Sequence, residues 1–365
     1  MVLSTDRWQD LRRPIATFDA FRKTVSAYRL PVVLLAALEL DLFTAVGTRT
    51  WTVQELANKL GVSERGLAIL CRNLAMAGVL IKRGTTYKNS QLGGTALNAD
   101  HPAYRGGYLD LIKSHWHDWC RLPESIRSGL PIDHDVPDSP EWRRRFTWAM
   151  HHRTLEIAPA IAAQVKLRSA SMLLDLGGGP GTYALAFLDR NPRLRATVCD
   201  REAALTVARE VAATYKAGRR LSFLPLDFTK DSIPGTYDVI WYSNVLHIYS
   251  PEENQAIFRR ALAALAPGGR LIIQDAFLHD REGVFPEDAS LFAVSMLLFT
   301  KGGDTYLVSE VKRWLRDAGF SQVKLLPIKR ATEDWEDGVL EAMVPGSRPK
   351  TNARRTGSGE SSNRH

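Results

Sequence analysis

From Ala170 to Pro345 the chain alternates short apolar runs with amphipathic stretches, and few folds accept that pattern. The runs are SMLLDLG, RATVCD, LSFLPLD, YDVIWYSN, RLIIQD, QVKLLPI and VLEAMV. Helical stretches begin near Thr182, Glu202, Pro251 and Val308, between the runs. Strands that alternate with helices predict a mostly parallel, seven-stranded sheet covered on both faces, an α/β architecture. A ligand then belongs beyond the C-terminal strand ends, near the switch point of the sheet.

The first strand runs into a glycine turn, DLGGGPG, from Asp175 to Gly181. Its glycines at Gly177, Gly179 and Gly181 come one residue too early for the dinucleotide fingerprint, in which the helix N-terminus takes a pyrophosphate. Acids close the first three strands: Asp175 precedes the glycines, Asp200 ends RATVCD, and Asp227 ends LSFLPLD. A carboxylate facing the ligand suits a cation better than a diphosphate. S-adenosylmethionine carries an ammonium and a sulfonium and no phosphate. Asp200 is placed to accept both ribose hydroxyls, as strand-end acids do. Asp227 is placed for the adenine amino group, with Phe228 beside the ring, and Ser243 at the end of the fourth strand completes the cofactor set. S-adenosylmethionine is the expected cofactor, and a nicotinamide dinucleotide is the alternative.

The first third reads as helical. FDAFRKTVSAYRLPVVLLAALELDLFTAV is more apolar than one solvent-facing helix needs, so a face from Val25 to Val46 is expected to pack on a second copy of the chain. Next, Thr52 and Glu55 form a capping box, Gly61 ends that helix, Ser63 opens another, and Gly78 stops it. VLIKRGTTYKNS then alternates like a hairpin, which completes a winged helix. The second helix carries only Arg65 and Arg72 as bases, too few for phosphates and base edges, so packing is expected and specific nucleic-acid binding is not. Residues 100–169 read as a helical, aromatic-rich linker. Within it, His115 and His117, like His151 and His152, lack metal-ligand spacing, so no metal is expected.

The longest apolar run is broken by Glu39 and Asp41, and no membrane span or secretory signal is expected. Cys71, Cys120 and Cys199 are scattered and odd in number, as suits the cytoplasm. The net charge of +8 is half accounted for by the tail after Pro345, with five Lys and Arg against one acid. That tail is expected to be disordered. The organisation expected is 1–99, a winged-helix unit for dimerisation; 100–169, the linker; 170–345, the cofactor-binding domain; and 346–365, the tail.

From about Ala20 to Pro345 the sequence resembles the O-methyltransferases of the acetylserotonin/caffeate type. The resemblance is carried by DLGGGPGTYALAFL, DVIWYSNVLHIYSPEENQAIFRRALAALAPGGRLIIQDAFL and GGDTYLVSEVKRWLRDAGF. It implies a Rossmann-like class I methyltransferase core whose sheet ends in an antiparallel hairpin, and an intertwined dimer. It also implies that Phe146 to Met150 border the cofactor and acceptor. Methyl transfer to a phenol or enol needs in-line alignment and loss of the acceptor proton. From the residues alone His247, after the fourth strand, reads equally as a general base or as a packed helix-start histidine. The resemblance favours the base and aligns Asp275, ending the fifth strand, as its orienting acid.

Two departures weaken the carboxylate support. Ile248 follows the histidine where the family often has Asp, and Thr305 stands where its later carboxylate falls, with Asp304 one residue early. Carbon methylation of a polycycle or tetrapyrrole therefore stays open beside O-methylation, as does N-methylation. A non-catalytic, DNA-binding relative is the third reading. Trp116, Trp119, Trp148, Met150, Phe292, Met296 and Phe299 are candidates to line an acceptor pocket, although such stripes also build cores. Together they predict a flat, apolar, aromatic acceptor, and the function expected from the resemblance is methylation of an aromatic or polycyclic small molecule of secondary metabolism.

Overall fold

The structure, a computed structural model, describes residues 15–133, 139–167, 170–329 and 338–345. The expected disorder of the basic tail lies outside these residues. Seven strands form the main sheet: β1 (Met172–Leu176), β2 (Arg195–Asp200), β3 (Leu221–Pro225), β4 (Tyr237–Ser243), β5 (Leu265–Asp275), β6 (Ser321–Leu325) and β7 (Gly338–Met343). Their order across the sheet is β6-β7-β5-β4-β1-β2-β3. Neighbours among β1 to β5 run parallel, while β7 is antiparallel to both β5 and β6, which is the terminal hairpin implied by the resemblance.

Side chains alternate across this sheet with the period of two that strands impose. Leu173, Val239, Trp241 and Ile272 join one core cluster, beneath the Thr182–Arg190 and Glu202–Ala213 helices. Their neighbours Leu174, Ile240, Tyr242 and Ile273 join the other, beneath the Pro251–Ala263 and Val308–Asp317 helices. Each fully buried aliphatic side chain contributes about 1.5–3 kcal/mol, so the two apolar layers fix the position of β1 and β4. β5 departs from the expected run: it begins at Leu265 and carries an irregular register between Tyr237 and Val239 of its partner. The Ala-Pro-Gly-Gly segment at its start holds Gly268 at φ 77°, and it enters the strand as a bulge instead of ending it.

The N-terminal unit forms around the expected signals. Thr52 and Glu55 close a capping box on the Val53–Leu60 helix, and Gly61 ends it in the left-handed region. Ser63 caps the Glu64–Met76 helix, whose Leu67, Cys71 and Leu74 are buried in a separate small core. Leu80–Arg83 and Thr86–Asn89 pair antiparallel as the wing. Of the face expected from Val25 to Val46, Ala37, Leu42, Phe43 and Val46 are instead buried in this small core, because the chain folds back on them. What stays uncovered is its start and the helix before it, with Phe18 79% exposed, Val25 56% and Tyr28 55%. Among the described residues no helix is long and apolar enough to cross a membrane.

The Pro140–Thr154 helix joins the linker to the sheet domain. Its exposed face pairs Arg144 with Glu210 of the Glu202–Ala213 helix at 2.6 Å. Its buried face hydrogen-bonds His151 Nδ1 to Thr182 Oγ1 at 2.8 Å, one residue past the glycine turn.

Candidate active site

The glycine turn holds three of its glycines in the left-handed region. Gly177 has φ 72°, and a Cβ there would lie 2.8 Å from Val245 Cγ2 and 3.4 Å from Phe228 Cζ. Gly179 has φ 51° and faces open space, so its backbone is accessible to a ligand. Gly181, at φ 71°, caps the Thr182–Arg190 helix.

The three acids occupy different positions around this turn. Asp200 Oδ2 accepts the Gly179 N–H at 2.9 Å and its Oδ1 accepts the Arg201 N–H at 2.7 Å, which leaves lone pairs on both oxygens. Burial raises its pKa, against the pull of those two N–H groups and of the Arg201 and Arg143 charges. Asp227 is held below the usual carboxylate range, first by the Thr229 hydroxyl. Phe228 is buried, with its ring edge-on to Tyr249 at 6.1 Å. Asp175 differs from the expectation that it faces the ligand. It lies beneath the turn, 2% exposed, and accepts the Ala184 N–H at 3.3 Å. That N–H belongs to the first turn of a helix and has no intrahelical partner, so the carboxylate serves the turn from below. A Cβ at Gly178 would meet Asp175 Cγ at 2.5 Å. Burial pushes the Asp175 carboxyl up to about 7, the Ala184 N–H opposing and the Asp200 charge adding to the rise. The surroundings of the turn are therefore carboxylates and open backbone, a donor set that fits a cation bearing a ribose better than a pyrophosphate.

Ser243 is buried at the end of β4 and accepts from the Asn244 amide at 2.9 Å. Asn244 itself takes φ 55°, a left-handed conformation that Asn tolerates better than most residues. The chain thereby leaves the strand in a direction that buries His247 against the end of β5. His247 Nδ1 lies 2.7 Å from Asp275 Oδ1, and both residues are buried. Asp275 Oδ1 also accepts the Ala276 N–H at 2.8 Å. The Phe292 ring packs edge-on against the imidazole at 4.7 Å. The departures noted in sequence stay away from it: Thr305 donates its hydroxyl to the Ala289 carbonyl, Asp304 accepts the Thr305 N–H, and Ile248 is exposed.

A cleft of about 880 Å³ opens against Phe292, the ring that packs on His247, although His247 itself is not among its lining residues. Asn244, Ala276 and Phe292 line it from the sheet domain, Tyr108, Trp119 and Ile157 from the linker, and Tyr183 from the start of the helix after the glycine turn. Of the expected pocket residues, Trp119 and Phe292 reach the cleft, whereas Trp116, Met150 and Met296 are not among its lining residues. On the Glu287–Phe299 helix, Asp288, Leu291, Phe292 and Ser295 share the cleft face. Ala289 lines the cleft as well, whereas Met296, two turns further along the helix, is buried and does not. Trp148 packs instead on the rings of His151 and His152, and Phe299 on His115 at 4.4 Å. Sequence reasoning missed Tyr183, Asn244, Arg105, Arg153 and Asp288. The one available signal was the Asn after a strand, a residue prone to positive φ. Among the described residues no group of three or more His, Cys, Asp and Glu side chains is disposed to hold a metal.

A seven-stranded α/β sheet with a glycine turn and acids at successive strand ends defines the class of S-adenosylmethionine-dependent methyltransferases. Residues 127–321 match the O-methyltransferase domain, and residues 23–99 match the O-methyltransferase dimerisation domain. The chain is 31% identical over 304 residues to 3-hydroxy-5-methyl-1-naphthoate 3-O-methyltransferase of Streptomyces sahachiroi, covering 80% of this chain and 86% of that one. It is 30% identical to the tetracenomycin polyketide synthesis 8-O-methyl transferase of Streptomyces glaucescens, covering 80% and 88%. Human N-acetylserotonin methyltransferase, solved in complex with S-adenosylmethionine, shares the fold at a TM-score of 0.79 and 20% identity, covering 94% of this chain and 100% of that one. The protein belongs to the O-methyltransferase family and is an S-adenosylmethionine-dependent enzyme.

His151 supplies a pH test of how the linker helix is held. Burial first, then the charges of His152 and Arg105, push its pKa from 6.5 down to about 4. Between those values the unfolded chain binds a proton that the folded chain refuses, so this contribution is intact above the unfolded pKa and lost as pH falls. The depression corresponds to about 3 kcal/mol, reached near the lower value. Urea unfolding should show the stability difference between wild type and His151→Gln shrinking steadily on acidification. A difference independent of pH would place the imidazole in water.

Proposed function

We propose that the enzyme methylates a hydroxyl of a flat aromatic or polycyclic small molecule of secondary metabolism, with His247 as general base. The observation that carries this reading is the buried 2.7 Å pair between His247 Nδ1 and Asp275 Oδ1 at the edge of an aromatic-lined cleft. A carboxylate on Nδ1 selects the tautomer with the proton there, and Nε2 is left as the basic nitrogen. Two related O-methyltransferases whose names specify a naphthoate and a polyketide support the acceptor class.

The cofactor, when bound, supplies an electrophilic methyl group on a sulfonium. The backbone at Gly177, Gly179 and Gly181 lets it approach, Asp200 takes the ribose hydroxyls, Asp227 and Phe228 receive the adenine, and Ser243 borders the methionine end. Asp175 holds the turn from beneath. Phe292 and Trp119 place the acceptor ring so that its hydroxyl points at the methyl group, and Nε2 of His247 removes the hydroxyl proton as the new C–O bond forms. Asp275 keeps the imidazole oriented and stabilises the imidazolium.

In the same reading, residues 1–99 dimerise, 100–169 complete the acceptor pocket and 170–345 bind the cofactor. The exposed apolar row from Phe18 to Tyr28 and the match to a dimerisation domain support the homodimer. Three free cysteines support a cytoplasmic setting.

Three outcomes test the reading. His247→Ala should lower turnover about 10²–10⁴-fold, the usual share of a positioned base, with cofactor affinity kept. The loss should shrink as pH rises and the acceptor ionises unaided, and Asp275→Asn should show the same profile more weakly. Turnover at neutral pH equal to wild type would remove His247 from the chemistry and favour carbon methylation. Asp200→Ala should cost about 2–4 kcal/mol of S-adenosylmethionine affinity by calorimetry, because a charge-assisted bidentate contact is lost. Light scattering should report a dimer for the intact chain, and Phe18→Glu with Phe21→Glu should yield monomers. A wild-type monomer at micromolar concentration refutes the homodimer.

A further inference from the structure

We propose that Arg153 recognises a carboxylate on the acceptor, which makes the enzyme selective for hydroxyaryl acids. This inference rests on the acceptor reading above and adds the acceptor's second functional group.

The cleft divides by chemistry. Its sheet side offers Asn244, Ala276 and Phe292 next to His247, and its linker side presents Arg105, His152 and Arg153. On that side Arg105 is neutralised by Glu156 at 3.2 Å. Burial, and then the Arg105 charge, lower the pKa of His152 and so disfavour its charged form. The cationic character of the linker side therefore rests on Arg153. It is half-buried, and among the described residues it makes no hydrogen bond or ion pair.

A half-buried guanidinium on a cleft wall, with no ion pair to a carboxylate among the described residues, is available to a ligand, and its fork of N–H donors matches a carboxylate in a bidentate way. Its place in the last turn of the Pro140–Thr154 helix accounts for its sign through the helix dipole, but not for its position on the cleft wall. Asp288, which also lines the cleft, forms no ion pair with Arg153 and sits in the first turn of its own helix, where the dipole supports its charge. An apolar ring between Trp119 and Leu291, with one hydroxyl toward His247 and one carboxylate toward Arg153, matches the chemistry of the two sides of this cleft.

The probes are a panel of hydroxynaphthoic acids and their matching primary amides. Affinity is measured on the S-adenosylhomocysteine complex, and methyl transfer is measured with S-adenosylmethionine. Wild type should bind at least one acid about 10–100-fold more tightly than its amide, the usual share of a charge-assisted pair. Arg153→Gln should erase that preference by raising Kd and KM for the acid about 10–100-fold, with kcat and amide binding nearly unchanged. Arg153→Lys should restore part of the preference.

Equal affinity for acids and amides, or no binding of any acid, overturns the proposal. So does an Arg153→Gln variant that weakens both classes alike, or one that loses affinity for S-adenosylmethionine, whose own carboxylate would then be the partner. Methyl transfer without acid preference leaves the acceptor reading standing while this inference fails. Acid-selective binding without transfer to the hydroxyl supports Arg153 and sinks the acceptor reading.

Discussion

The candidate site depends on β1 and β4 lying side by side at the centre of the sheet with both faces covered. Their backbone groups are satisfied by parallel neighbours and their side chains by two apolar layers, so the chain becomes free to take unusual conformations only where the strands end. At the end of β1 it makes the glycine turn. At the end of β4 it enters a left-handed Asn244. Register then does the rest: Ser243 of β4 stands opposite Gln274 of β5, so Asp275 is the next residue beyond the pairing and lies within reach of His247.

The His247–Asp275 pair is poorly explained as a stabilising device. Asp275 is fully buried, and its Oδ2 has no hydrogen-bond partner among the described residues. A buried carboxylate with one unmet oxygen is costly unless something is gained from its placement. What is gained is orientation of an imidazole whose Nδ1 is committed and whose ring is held by Phe292. Asp275 holds the imidazole where Ile248 and Thr305 offer no carboxylate, and Thr305 uses its hydroxyl to secure the loop to the helix that lines the cleft.

The Pro140–Thr154 helix makes one site from two sources of residues. Through His151 it is tied to Thr182 at the glycine turn, and through Arg144 to the helix after β2. Its next residues, His152 and Arg153, reach the cleft. The glycine turn and the cleft wall are therefore coupled by one element, and a buried histidine is the link.

Local signals determined a large share of this protein. The alternation of apolar runs, the capping residues Thr52 and Ser63, the glycines and the strand-end acids are read within a few residues, because backbone geometry and periodicity are local properties. They placed the seven strands, the winged helix and the cofactor, whereas the pairing of His247 with Asp275 was implied by the family resemblance and not by local signals. Tertiary structure alone decided which way side chains point. It put Asp175 under the turn because an orphan N–H of the next helix was nearest, and it turned Met296 into the core while leaving Phe292 on the cleft. It also brought Arg153, Tyr183 and Asp288 to one cavity from three separate helices. A cleft between elements far apart in sequence has no local signature, since its walls are chosen by how helices pack on the sheet and not by the order of residues along any one of them.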